Sequence, residues 1–377
     1  MHHLAKEFAA QGFDPLVITP DENLAEAWSL DKSDGVDILR LRIPYIDDSN
    51  YIGRAVSELL LSFRMIRILR RTPLWRYRWD AIVWYSPTIF FGPLISLLKR
   101  QSNCRTYLIL RDIFPEWMID LRLINKGFRY FILKLVAKYQ YYLADTIGVQ
   151  SPSNLRYFPA RKRFGSIHVE VLQNWLEELS DVGSSIQVES TPIRGRKIFV
   201  YIGNMGVAQS IDIFIDLADS LRHRDDIGFL FVGRGSELPR LRNLILQKQL
   251  NNILFFDEID PSEIPGLLSQ CDVGIVALDT RHKSHNIPGK FLSYVQAGLP
   301  VLARTKADSD LGNLIISEGI GRVYVGDDIC ELRQLAEQII ADTGLVSMSV
   351  AAQDLSKKMF VTSVAVSQIV AAVTEDR

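Results

Sequence analysis

The chain has 377 residues, 47% of them hydrophobic and 23% charged, a composition that excludes collagen-like, coiled-coil and wholly disordered classes. That length exceeds what one compact core normally holds, so two domains of similar size are expected. The 43 Lys plus Arg against 44 Asp plus Glu give a net charge of −1, which by itself argues against a dedicated polyanion binder.

The chain opens on a helical pattern at 3–12, with no secretory signal expected ahead of it. Short β-branched or aromatic runs then alternate with amphipathic stretches, the pattern of parallel α/β sheets. In the first half the expected strands are 15–20, 36–42, 81–86, 105–110 and 146–151, and the helices lie at 54–71, 88–100 and 127–143. The apolar run 81–98 is about long enough to span a bilayer, but Ser86-Pro87 and Gly92-Pro93 break it, and 81–85 reads as a buried strand. Residues 178–195, rich in Ser, Gly and charge, read as a linker or excursion. A second series of strands follows at 197–203, 228–233, 253–258, 273–278, 300–303 and 322–325, with helices at 209–223, 236–249, 261–269, 289–297 and 308–317.

The expected architecture is therefore two Rossmann-like, doubly wound domains facing a cleft. The first covers 1–177 and the second 196–355, and a C-terminal helix within 356–377 returns to the first. Ligands in such sheets bind at the carboxyl ends of strands, so the cleft is the expected site. A doubly wound domain normally begins on a strand, whereas this sequence begins on a helix. The first strand and its Gly-rich turn are missing from it, so a truncation of about 15–25 residues or a naturally shortened domain is expected. Cys104, Cys271 and Cys330 show no CxxC or Cys/His ligand spacing, so neither a disulfide framework nor a zinc site is expected, and a reducing cytoplasm suits them.

Three segments of the second half can carry chemistry. In 197–216, a strand leads into Gly203-Asn204-Met205-Gly206 and then a helix. Glycines there let a backbone approach a phosphate, and a helix start points N–H groups at it. In 229–241, Gly233-Arg234-Gly235 follows a strand, with Arg234 available to a phosphate. In 285–303, Pro288 starts a helix with Lys290 in its first turn, where a cation opposes the helix dipole. An anion lying there explains that lysine better than helix stability does, the other reading being a solvated surface residue.

In this order the three segments resemble the C-terminal half of GT-B glycosyltransferases of the retaining family 4. There a Gly-rich turn, a "VG-x-G" strand end and a helix ending "AGLPVLA" bind the sugar nucleotide. The resemblance extends to the first helix and strand (1–20), to 108-LILRDIFPEW-117, to 148-GVQSPSN-154 and to 171-VLQNWLE-177. It is nearest to the N-acetyl-L-fucosamine transferases of O-antigen and capsule synthesis, where "LRDIFPEW" and "NIPGKFLSY" have near counterparts. Where family 4 carries Glu-x7-Glu, this chain has His285 and Ser293. His285 remains a candidate for a sugar hydroxyl, and Ser293 reaches a ribose hydroxyl only through a shorter arm or a water.

The resemblance implies a nucleotide-sugar donor of UDP type, a lipid-linked glycan acceptor, no cofactor and no bound metal. The donor is expected to bind 196–377 and the acceptor 1–175. Retaining transfer needs the leaving diphosphate stabilised as charge develops. Arg234, Lys290 and the Gly203–Gly206 turn are the candidates for that role. Asp112, ending a strand beside Arg111, is the candidate to orient or deprotonate the acceptor hydroxyl, with Glu116 in reserve; capping of its own turn is the other reading of Asp112.

The net charge conceals a split. Residues 51–165 hold 20 basic and 6 acidic side chains, against 4 and 10 in 1–50 and 19 and 28 in 166–377. Arg64, Arg67, Arg70, Arg71, Arg76 and Arg78 lie among Leu, Phe, Ile and Trp at helical intervals, and 126–142 repeats the composition with lysines and tyrosines. Cationic helices with apolar faces lie in membrane interfaces. The apolar faces taken alone read as domain core, and the charge excess favours an anionic membrane surface, with the protein peripheral on the inner face of the cytoplasmic membrane. No nucleic-acid-binding motif accompanies the charge. Two alternatives share the architecture: a non-hydrolysing UDP-sugar 2-epimerase, and a non-catalytic scaffold of the polysaccharide assembly machinery.

Overall fold

Runs such as Phe-Val-Tyr-Ile and Phe-Leu-Phe-Val are β-branched or aromatic on both strand faces, and a strand of that kind is stable only with both faces covered by helices. The computed structural model describes the chain except residues 45–50, 87, 121–123, 159–166, 178–181, 279–285, 307, 342–343 and 375–377, and the side chains of 51–57, 117, 120 and 208. It forms two compact units, Met1–Gln173 with Thr362–Arg377, and Asn174–Val361.

In the first unit the elements run α1 (His2–Ala10), β1 (Leu16–Asp21), β2 (Trp28–Ser33), β3 (Val36–Arg42), α2 (Tyr51–Leu69) and β4 (Ala81–Tyr85). They continue with α3 (Gly92–Ser102), β5 (Arg105–Leu110), α4 (Glu116–Asp120), α5 (Phe128–Tyr142), β6 (Thr146–Val149) and β7 (His168–Val171). Strand β2 has no counterpart among the expected strands. It pairs antiparallel with β3 across Asp34-Gly35, whose φ angles of 51° and 81° make the two-residue turn that suits a right-twisted hairpin. The β-structure falls into two pieces, a sheet of order β1-β3-β2 and a parallel sheet of order β4-β5-β6-β7. Leu39 and Leu41 of β3, Met65 and Leu69 of α2, Ile82 and Trp84 of β4 and Leu108 of β5 nevertheless share one core. Helix α2 packs against β3 and α3, and α3 against β4 and α5.

The second unit contains β8 (Lys197–Ile202), α6 (Asp212–Ser220), β9 (Ile227–Val232), α7 (Leu238–Lys248), β10 (Ile253–Phe256), α8 (Ile264–Leu268), β11 (Val273–Ala277) and α9 (Gly289–Gln296). Then come β12 (Val301–Arg304), α10 (Asp310–Ser317), β13 (Gly321–Tyr324), α11 (Ile329–Ala341) and α12 (Leu345–Met359), after which α13 (Thr362–Thr374) lies in the first unit and packs against α1 and β5. Its six strands are all parallel, in the order β10-β9-β8-β11-β12-β13. The chain winds outward from β8 to β10, returns, and winds the other way from β11, so the strand order reverses between β8 and β11. In parallel sheets the carboxyl ends of the two strands at such a reversal are where ligands bind.

The linker reading of 178–195 needs correction over its described part. Ile186, Val188 and Ile193 are buried in the same core as β8 and β9, and the Val188 N–H donates to Gln270 Oε1 at 2.9 Å. Three apolar residues at irregular intervals leave no periodicity to read, yet they close one face of the second unit.

Candidate functional site

The turn at the carboxyl end of β9 lies backbone to backbone against the one at the end of β8, which leaves no room for a side chain at Gly233 or Gly235 of β9's turn. Gly203 has φ 121°, Gly233 φ 150° and Gly235 φ 153°. A Cβ on Gly233 would stand 2.0 Å from the Gly203 carbonyl oxygen, and one on Gly235 would stand 2.3 Å from that of Met205. The two turns are also joined by hydrogen bonds: Gly203 N–H donates to Val232 O at 2.9 Å, Met205 N–H to Arg234 O at 2.7 Å, and Glu237 N–H to Met205 O at 3.1 Å. The Tyr201 hydroxyl donates to Asn204 O at 2.6 Å.

This wiring changes how the Gly203–Gly206 turn can serve an anion. The N–H groups of Gly203 and Met205 are spent on the neighbouring turn, and that of Gly206 donates to Gln209 Oε1 at 3.0 Å. Nor does a helix start directly after it. One 3-10 turn (Val207–Gln209) intervenes, and α6 begins at Asp212. Gly203 and Gly206 therefore contribute a floor free of side chains rather than a cradle of donors, and Asn204 is exposed at its rim.

The cation comes from α9. Its N-cap is Pro288, which has no side-chain oxygen, and no side chain caps the helix. The Lys290 ammonium lies 3.5 Å from the centroid of the Tyr201 ring and 3.6 Å from where a Gly203 Cβ would be. Across the strand, the buried Tyr294 hydroxyl accepts from Ile202 N–H at 2.9 Å, so α9 is held to the tip of β8. Lys290 has no carboxylate partner among the described residues, and burial pulls its ammonium down to about 7. A half-buried, unpaired lysine over a side-chain-free turn at the strand-order reversal is a site that gains from receiving an anion. Ser293 lies three residues further along α9, the spacing that shares a helix face, and is half-buried.

Arg234, expected to be available to a phosphate, is paired on the surface. Its side chain is 78% exposed and forks onto Glu258, with Nε–Oε2 and Nη1–Oε1 both at 3.2 Å. Such an exposed pair holds at most about 1 kcal/mol, so Arg234 can exchange Glu258 for a ligand at small cost. Two hollows of the second unit, about 510 and 180 Å³, border 185–192 and Gly206–Leu241 respectively, and neither is lined by Lys290. The strand-order reversal and the unpaired charge, not concavity, mark this site.

In the first unit, Arg111 and Asp112 follow β5. The Arg111 guanidinium is buried and donates to Leu172 O at 2.8 Å, tying β5 to the end of β7, while Asp112 is exposed. The Glu116 carboxylate accepts from Lys134 Nζ at 2.8 Å and Tyr130 OH at 3.3 Å. It is thus engaged in fixing α4 to α5, which leaves it poorly placed as a reserve base. His285 lies outside the described residues. Of the arginines expected to face a membrane, Arg67, Arg70, Arg71, Arg76 and Arg78 are exposed, Arg70 lying over the Trp75 ring at 5.3 Å, and Arg64 is half-buried. No group of His, Cys, Asp and Glu among the described residues has the arrangement of a metal site, and no helix among them is long and apolar enough to cross a membrane. Sequence reasoning missed Tyr201, Tyr294 and Glu258. The tyrosines read as ordinary strand and helix core, and nothing in their spacing announces a hydroxyl that meets a strand tip.

The architecture is the GT-B fold. Residues 185–351 match the family model "Glycosyl transferases group 1", so the match falls on the unit that carries the Gly203 turn and Lys290. The chain is 25% identical over 356 residues to a glycosyl transferase assigned by name to colanic acid biosynthesis, WcaI of Escherichia coli (strain K12), covering 88% of this chain and 84% of that one. Among solved structures it resembles sucrose-phosphate synthase from Thermosynechococcus elongatus, with a TM-score of 0.69, 16% identity and 97% and 90% of the two chains covered. It also resembles Anabaena HepE in complex with UDP and glucose, with a TM-score of 0.64, 14% identity and 91% and 87% covered. The protein is a glycosyltransferase.

Proposed function

We propose that the protein is a retaining transferase of family 4 type that moves a deoxyamino sugar, N-acetyl-L-fucosamine or a close relative, from a UDP-linked donor to a lipid-linked glycan of O-antigen or capsule synthesis. It works without a bound metal, peripheral on the inner face of the cytoplasmic membrane. The donor binds the second unit and the acceptor the first. The observation that carries this reading is Lys290, unpaired over Gly203 at the strand-order reversal, which answers the chemistry of a diphosphate. The UDP bound by Anabaena HepE, a protein of the same architecture, supports that donor class.

In the reaction the acceptor hydroxyl oxygen bonds to the sugar's anomeric carbon, and the bond from that carbon to the diphosphate oxygen breaks. The electron pair leaves with the diphosphate. Lys290 and Arg234 meet that charge as it develops, Ser293 reaches the ribose through its hydroxyl or a water, and Asp112 orients the acceptor and takes its proton. His285 is the candidate for a sugar hydroxyl.

The test incubates the purified protein with a panel of UDP- and dTDP-sugars and a polyprenyl-diphosphate glycan. Transfer with release of UDP supports the reading. Isomerisation of the donor without acceptor, or no nucleotide binding at all, overturns it.

A further inference from the structure

Helix α5 is apolar on both sides, and only one side is packed. Ala137, Gln140 and Tyr141 are buried against the first unit's core. On the opposite side Phe128, Phe131, Ile132, Leu135, Tyr139 and Tyr142 form a continuous stripe, with Phe128 82%, Phe131 74% and Leu135 66% exposed. A helix hydrophobic all round is normally buried all round, and single exposed apolar residues are common while contiguous ones are not. On the same α2–α3–α5 layer, helix α2 exposes Leu59, Leu60 and Phe63 beside Arg67, Arg70 and Arg71.

The charge around this surface has one sign. From 124 to 144 the sequence holds Lys126, Arg129, Lys134 and Lys138 and no acidic residue, and from 51 to 78 it holds seven arginines against Glu58. Lys134 is taken up by Glu116, and the carboxylate of Glu58 accepts from Thr88 at 3.0 Å, which leaves the cations in excess. Aromatic and aliphatic side chains standing out within an excess of cations match the layered chemistry of a bilayer surface, with acyl chains below and anionic headgroups above.

We propose that α5 is a membrane-inserting helix. Its Phe128–Phe131–Leu135 stripe enters the acyl boundary of an anionic bilayer while Lys126, Arg129 and Lys138, with the exposed Arg67, Arg70 and Arg71 in and just after α2, bind the headgroups. This assigns insertion to α5, whose apolar residues read from sequence as core, and leaves α2 as the electrostatic partner. It rests on the membrane-peripheral reading proposed above but not on which sugar is transferred, because the surface belongs to the first unit and not to the Lys290 site.

The test is cosedimentation of the full chain with phosphatidylcholine vesicles lacking or containing phosphatidylglycerol. Each fully inserted Phe or Leu contributes about tenfold or more to partition. Phe131→Ser with Leu135→Ser is therefore expected to lower binding to the anionic vesicles at least tenfold, with thermal stability and UDP binding unchanged. Hydrogen exchange of the unmodified protein on vesicles should slow within 128–142. Absence of binding to the anionic vesicles, or an exchange footprint elsewhere only, overturns the proposal. So does a dimer in sedimentation velocity that the double substitution dissociates while vesicle binding persists, since that would make the stripe a contact between two copies. UDP binding that is lost in every form of the protein would instead sink the reading of the Lys290 site and leave this one standing.

Discussion

Lys290 is held where its charge costs stability. Burial lowers its ammonium to about 7 from 10.5, so between those values the unfolded chain binds more protons than the folded one. Stability therefore rises with pH across that window. An anion beside Nζ reverses the preference, and above pH 7 UDP binding should take up a proton and weaken by up to about tenfold per pH unit. Calorimetry in two buffers of different ionisation enthalpy reads that proton directly. Lys290→Met should act with opposite signs on the two properties. Losing the charge-assisted contact should cost about 10- to 100-fold in UDP affinity, while the free protein gains about 1 kcal/mol or more at pH 7. A substitution that lowers both together would mean the lysine is structural. The lysine itself was legible in the sequence, because a cation in a helix's first turn contradicts the dipole. Its unpaired state was not, since that depends on Tyr201 and Gly203 arriving from another element.

At the scale of elements, the site is two turns and a helix held in register by backbone contacts. The glycines at 203, 206, 233 and 235 show in the sequence as strand ends. The sequence leaves open what they face, and in the structure Gly233 lies against Gly203 and Gly235 against Met205. Gly233→Ala would place a methyl carbon 2.0 Å from the Gly203 carbonyl oxygen, and no flexible side chain stands there to yield. The expected cost is about 3 kcal/mol or more, read as a lowered melting temperature together with lost UDP affinity. Tyr294→Phe is a milder probe of the same unit. It leaves the Ile202 N–H without its acceptor, for about 1–3 kcal/mol, and loosens the tip of β8 over which Lys290 lies. The missed hairpin of β2 and β3 has a different cause. Asp34-Gly35 is a strong two-residue turn signal, but the polar 28–33 run beside it lacks the apolar alternation by which the other strands were found. For 178–195 the opposite happened, as polar composition masked Ile186, Val188 and Ile193.

Across the whole chain, sequence order and structural unit part company. The second unit is one continuous stretch, Asn174–Val361, with a six-stranded parallel sheet and a core on each of its faces. The first is discontinuous, because it includes α13, whose Ala365, Val366 and Ile369 are buried and whose Gln368 amide donates to Val171 O at 2.9 Å. Continuity makes the second unit the one able to fold alone, since every strand and covering helix of its sheet lies within its own stretch. Expressed as 174–361, it should unfold cooperatively and bind UDP with the full chain's affinity and the same pH dependence. Ending the chain at Val361 should have the reverse effect on the first unit, baring the apolar residues of α1 and β5 that α13 covers. Three buried aliphatic side chains correspond to about 3–6 kcal/mol after discounting for a compact denatured state, a large part of a domain's stability. Differential scanning calorimetry of that truncated chain should therefore show one transition lowered or lost and the other in place. Lys290→Met should move only the transition that survives, and movement of both would mean the two units unfold as one.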